Sequence, residues 1–157
     1  MEDQIEFRIF DPKGKEIWVD DFYSETDIRL VAIYLNGREI VDILKEIELA
    51  YDTETPGSYG HLTPKNLYRN LSDALIPGTY SHDHETFFLC CESCGIDGCW
   101  SVVATVTQDE NYVYWTDFRQ PHRPEWKYPI SYRFRRMQYE KEMNKLNAYQ
   151  SAHPNDF

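Results

Sequence analysis

The chain predicts an α+β fold in a single domain, an antiparallel sheet of about six strands with two or three helices on one face. Three observations predict it. Several short segments alternate apolar and polar residues or are rich in β-branched and aromatic side chains. Two others repeat apolar residues at helical spacing, and 137–149 is rich in helix-forming residues. The strand-like segments at 86–118 follow one another with only short turns, which favours a meander over a parallel sheet. With 157 residues, 41% hydrophobic and 15% aromatic, the chain can bury one ordinary core. Residues 1–150 are read as the domain and 151–157 as a frayed tail.

The elements follow in order. Gln4 to Phe10 alternates, with Ile5, Phe7 and Ile9 on one face, and predicts a strand. Asp11-Pro12-Lys13-Gly14-Lys15 reads as a turn and Glu16 to Asp20 as the returning strand of an opening hairpin. Ile28 to Leu35 predicts a third strand, ended by Asn36-Gly37. Beyond that turn, Ile40, Val41, Ile43, Leu44 and Ile47 recur at helical spacing over Arg38 to Leu49; a hairpin into another strand is the alternative. Residues 51–63 read as a loop. Thr63-Pro64 supplies an N-cap and first-turn proline for a helix through Leu67, Leu71 and Leu75, stopped by Pro77-Gly78. Strands are expected at Thr86 to Cys91, Trp100 to Gln108, Tyr112 to Phe118 and, briefly, Ser131 to Phe134. Pro121, Pro124 and Pro129 keep 119–130 irregular, and Met137 to Tyr149 reads as a closing helix. The expected core is Phe7, Ile9, Leu30, Ala32, Leu44, Leu89, Val102, Ala104, Val106 and Trp115.

Charge narrows the function classes. The net charge is −11, which argues against a general nucleic-acid or anionic-membrane binder, since both need a positive field. It is unevenly spread: residues 119–157 carry 8 Lys+Arg and 4 Asp+Glu (+4), leaving −15 on residues 1–118. The acidic N-terminus has no apolar run behind it, and no stretch approaches the roughly 20 apolar residues of a membrane span. A cytosolic location with reduced thiols is the expectation.

All four cysteines fall within ten residues, in Cys90-Cys91-Glu92-Ser93-Cys94-Gly95-Ile96-Asp97-Gly98-Cys99-Trp100. Cys91-x-x-Cys94 with Cys99 offers three thiolates to one structural zinc, and His84 or His82 is a candidate fourth ligand. Cys90 is a poor ligand beside Cys91, because neighbouring strand residues point to opposite faces. A reactive dithiol and a tightly packed hairpin of buried cysteines are the two other readings. His82 and His84 share a face in an extended segment and could equally be solvated loop histidines.

A second constellation interleaves aromatics with charge. Trp115, Asp117, Arg119, His122, Arg123, Trp126 and Tyr128 lie in one proline-stiffened segment, and Trp, Tyr and Arg are the residues that anchor protein interfaces. The segment is therefore a candidate surface for a protein partner. The competing expectation is that it folds back over the sheet, with Trp115 and Trp126 in the core and Arg119 paired to Asp117 or Glu125. Phosphate loops, dinucleotide fingerprints, nucleophile elbows and zinc-protease motifs are absent from the sequence.

Taken together, Asn36-Gly37-Arg38, Glu46-Ile47-Glu48-Leu49, the Cys-Gly-x-x-Gly-Cys-Trp run at 94–100, Trp115-x-Asp117-Phe118-Arg119, Arg123-x-x-Trp126-x-Tyr128, Phe134 and Gln138-Tyr139 resemble a family of small bacterial proteins of unknown function. The similarity covers residues 30–145. It implies a bacterial cytosolic protein and carries over no activity, substrate or catalytic residue. Three functions follow as expectations: a non-catalytic interaction or regulatory module, a domain stabilised by zinc at its cysteine cluster, and an enzyme using the Cys/His region.

Overall fold

The computed structural model describes residues 2–12, 28–76, 84–92 and 100–154, and within them the fold is α+β. Strands β1 (Ile5–Phe10), β2 (Leu30–Leu35) and β3 (Arg38–Glu39) form one antiparallel sheet. The Asn36-Gly37 turn between β2 and β3 has φ of +53° and +82°, the two positive values that a tight hairpin turn demands. Helix α1 (Ile40–Glu48) starts directly from β3, so both expectations for this segment are realised, hairpin first and helix second.

Strand β4 (Tyr59–Gly60) follows, then helix α2 (Pro64–Ala74). Thr63 caps α2 by accepting from Asn66 N at 3.2 Å, with Pro64 in the first turn, as the sequence predicts. The strand expected over 86–91 is two strands in different sheets. Strand β5 (Glu85–Phe87) pairs with β7 (Val103–Gln108), whereas β6 (Cys90–Cys91) pairs with β4. Phe88 and Leu89 make the corner, and both are buried, which no two-residue alternation allows. Strands β8 (Tyr112–Arg119) and β9 (Tyr132–Arg135) complete a four-stranded sheet in the order β5-β7-β8-β9. The described residues thus hold nine strands in three antiparallel sheets rather than one sheet of six. The last helix, α3 (Arg136–Ala152), runs past the expected tail boundary, so Ser151 and Ala152 are helical. The second strand of the expected opening hairpin, at 16–20, lies outside the described residues; β1 takes its partner from β2 instead.

The sheets share one core. Asp3 bridges Phe134 in parallel, with Asp3 N donating to Arg133 O and Arg133 N to Asp3 Oδ2, both at 2.8 Å. Asn36 ties the hairpin turn to the same place, accepting from Gln4 N at 2.8 Å and donating to Asp3 Oδ1 at 2.9 Å. Every expected core residue is buried except Ile9, which is half-buried against the cluster. Trp115 sits at the centre, ringed by Phe88, Phe134 and Tyr139, and donates to the Tyr139 hydroxyl at 3.2 Å.

The outer edge of β1 is closed by side chains of α3. Gln138 accepts from Ile5 N at 3.1 Å and donates to Ile5 O at 2.5 Å. Glu142 accepts from Phe7 N at 2.8 Å, and Lys145 donates to Phe7 O at 2.9 Å and to Glu142 at 2.7 Å. Positions 138, 142 and 145 share one helix face. That face completes the hydrogen bonds a neighbouring strand would supply.

Candidate functional site

The cysteine cluster can be followed on one side only. Cys90 and Cys91 are buried in β6. The Cys90 Sγ donates to the His61 carbonyl at 3.5 Å, and Gly60 stands opposite it in the β4–β6 ladder. A Cβ on Gly60 would lie 2.9 Å from that sulfur, so the glycine makes room for the thiol. Alternation along β6 turns Cys91 the other way. Cys94, Cys99 and His82 lie outside the described residues. His84 is held at the far end of α2. Its Nδ1–H donates to the carbonyl of Ala74, the last residue of α2, at 2.5 Å, whereas Cys90 contacts His61, just ahead of the first turn. At 1.5 Å per residue the eleven residues of α2 span about 16 Å between these two contacts. No group of three or more His, Cys, Asp and Glu side chains able to hold a metal occurs among the described residues.

The 115–128 segment corrects the other expectation in part. Trp115, Trp126 and Tyr128 are buried, so these three do not present an aromatic surface. The physical reason lies below the loop. Glu48, the last residue of α1, is wholly buried and accepts from the hydroxyls of Tyr128 (2.6 Å) and Tyr59 and from Gly57 N at 3.0 Å. Gln120, also wholly buried, donates to the Tyr59 hydroxyl at 3.2 Å and accepts from His122 N at 3.1 Å. One carboxylate therefore draws the end of α1, the 52–60 loop and the 120–128 loop together. Burial, followed by the hydrogen bond to Glu48, pushes the pKa of Tyr59 and of Tyr128 far above that of an ordinary phenol. Both remain protonated donors.

Asp117 and Arg119 belong to a different feature. The β7–β8 register slips between Val103 and Thr105, and Asp117 takes φ +55° in the resulting bulge. Arg119 donates to the Asp117 carbonyl at 2.8 Å and pairs with the carboxylates of Asp117 and Glu85, so it crosses β7 to brace β5. The expected Asp117 pairing is present, and Glu85 takes the place of Glu125.

What remains exposed from the loop stacks onto residues outside it. Tyr51 stacks on Trp126 with centroids 5.7 Å apart, Trp126 meets Trp100 edge-to-face at 6.1 Å, and Trp100 stacks on His122 at 5.9 Å. The Arg123 guanidinium lies over Trp100, 5.1 Å from its centroid, and donates to the His122 carbonyl at 2.8 Å. Tyr51, 44% exposed, accepts from Lys127 N at 3.0 Å, which clips the end of α1 to the loop. His122, Arg123, Glu125 and Lys127 are exposed, and Leu49, 50% exposed, lies on the same turn as Tyr51. The result is a ledge of rings with a cation on top. The sequence places Trp100 at the end of the cysteine run and the start of a strand, and Tyr51 in a loop. Glu48 had a signal: with Ile40 and Leu44 it forms an every-fourth-residue row on the apolar face of α1, a carboxylate where a leucine is expected.

The structure also holds a shallow cavity of about 200 Å³ beside the β1 edge, lined by Gln4, Glu6, Arg8, Tyr34, Gln138 and Glu142. It falls below the range usual for small-molecule sites. No helix among the described residues is long and apolar enough to cross a membrane. No family model, curated protein or solved structure matches the chain.

Proposed function

We propose that the protein is a non-catalytic interaction module whose contact surface is the ledge of Tyr51, Trp100, His122 and Arg123. The observation that supports this reading is the continuous ring-on-ring run from Tyr51 to His122, capped by Arg123 and lying partly open at the surface. Trp, Tyr and Arg held rigidly lose little conformational freedom on binding, which is why they dominate interface energetics. Buried Trp126 and Tyr128 serve this surface from below as its support, in place of the direct contacts expected of them. The test is a photo-crosslinking residue placed at position 51 or 123 in cells, with exposed Glu140 on α3 as the control position. A discrete protein adduct at 51 and 123 and none at 140 is expected. Adducts at all three positions, or at none, overturn the reading.

A second reading concerns the cysteines. We propose that Cys91, Cys94 and Cys99 hold a structural zinc, with His84 as the candidate fourth ligand. The separation of Cys90, turned toward His61, from Cys91 supports it, because it leaves a three-thiolate set of spacing suited to zinc. Mass-spectrometric metal content near one zinc per chain, with stability lost on chelation, is the expected result. Four freely titrating thiols, no metal and unchanged melting would instead make the cluster a packing feature.

A further inference from the structure

We infer that the partner surface recognised by the ledge is an acidic polypeptide segment, with a carboxylate seated on Arg123. This rests on the ledge being the contact surface and goes further by naming the chemistry of what it contacts.

The first observation is a cation without an anion. Arg8, Arg38, Arg119, Arg135 and Arg136 each pair with a carboxylate of the chain. Arg123, like Arg69 and Arg133, has no ion pair among the described residues, although the chain carries 27 Asp and Glu and exposed Glu125 is two residues away. Its guanidinium is held in place all the same, by the Trp100 ring beneath it and by the His122 carbonyl. A guanidinium fixed by one hydrogen bond and one ring face keeps most of its five donors for a second molecule, in a fork that matches a carboxylate.

The second observation concerns the same indole. Trp100 Nε1 is the one buried side-chain polar atom without a hydrogen-bond partner among the described residues. The hydroxyl of Tyr51 is already engaged with both backbone groups of Lys127. Among the described residues, the exposed part of the loop carries the cations Arg123 and Lys127 and the carboxylate Glu125, beside the ring faces of the ledge. The group that complements it brings acceptors and negative charge.

Long-range charge sets the conditions. A chain of net charge −11 repels an acidic segment at a distance. At about 0.15 M ionic strength the Debye length is about 8 Å, so that repulsion is screened while a bidentate contact on Arg123 is not. Recognition of this kind is short-ranged and depends on the ledge itself.

The probes are two capped tetrapeptides, Glu-Phe-Glu-Glu and Gln-Phe-Gln-Gln, titrated into the full chain at about 0.15 M salt. The readouts are the indole N–H resonance of Trp100 and the backbone amides of His122 and Arg123. The acidic peptide is expected to shift these signals saturably and to bind at least tenfold more tightly than its amide counterpart. In Arg123→Gln the preference is expected to vanish while the melting temperature stays within about 2 °C, since the substitution is at the surface. Equal binding of the two peptides, shifts confined to other parts of the chain, or an undiminished preference in Arg123→Gln overturns the inference. The crosslinking experiment separates the two failures. Ledge adducts combined with equal peptide binding sink the acidic-segment inference alone, whereas absence of ledge adducts sinks the interaction module and takes the inference with it.

Discussion

Two glutamates are buried in this acidic protein, and their carboxylates are satisfied in different ways. Glu142, on α3, has a cation beside it: Lys145 donates to the same oxygen that accepts from Phe7 N. Glu48, at the end of α1, has neutral donors only, two phenols and one backbone amide. The first arrangement fastens a helix to a strand edge and leaves the cation half in water. The second pulls three separate segments of chain onto one point and supports the exposed ledge. A buried carboxylate needs several donors in either case; Glu142 takes its donors from one strand and its own helix, whereas Glu48 takes its donors from two separate loops. The region that carries the candidate surface is thus the one whose shape depends most on a single side chain.

Removing Glu48 should therefore cost the most. Glu48→Ala leaves two phenols and Gly57 N without their acceptor, and a stability loss of about 4 kcal/mol is expected. Chemical denaturation measures it, and the Tyr51 and Trp100 ring contacts should loosen in the same variant. A loss below about 1 kcal/mol would show that the hydroxyls find other partners. Glu142→Ala should cost less, about 2 kcal/mol, because Lys145 can turn to water and only Phe7 N is left unpaired. If the two losses proved equal, the contrast between the sites would collapse.

The third expectation separates the sites by pH. Tyr59 and Tyr128 resist ionisation in the folded protein because burial and Glu48 both oppose a phenolate there. Unfolded tyrosines lose their protons above about pH 10. The unfolded state then holds fewer protons than the folded one, so stability falls as pH rises beyond that point. The fall should be shallower in Tyr128→Phe than in the unaltered chain, and unchanged in Glu142→Ala. Parallel curves for Tyr128→Phe and the unaltered chain would show that Tyr128 contributes nothing to alkaline unfolding.

Much of the fold was legible because its signals are local. Alternation marked β1, the Thr63-Pro64 pair marked the start of α2, and Asn36-Gly37 marked the β2–β3 turn. The split of 86–91 was not legible, since Phe88 and Leu89 are both apolar and a strand reading absorbs them. Nor could the ledge be assembled from the sequence. Tyr51 and Lys127 are 76 residues apart and Glu48 and Tyr128 are 80 apart, and these contacts decide which aromatics of the 115–128 segment sink and which stay at the surface. His122 and Arg123 were recognised by type, but Trp100, on which both rest, belongs to another part of the chain.

The closure of β1 by α3 also has a consequence in time. The groups joined there, Phe7 with Glu142 and Lys145, are more than 130 residues apart. A ribosome adding on the order of 10 residues per second leaves the edge of an Ile-Glu-Phe-Arg-Ile-Phe strand open for roughly 10 s before its covering helix exists. Throughout that interval the nascent chain carries a strand edge able to pair with another copy. The charged residues Glu6 and Arg8, set between the apolar ones, guard it until the last helix arrives.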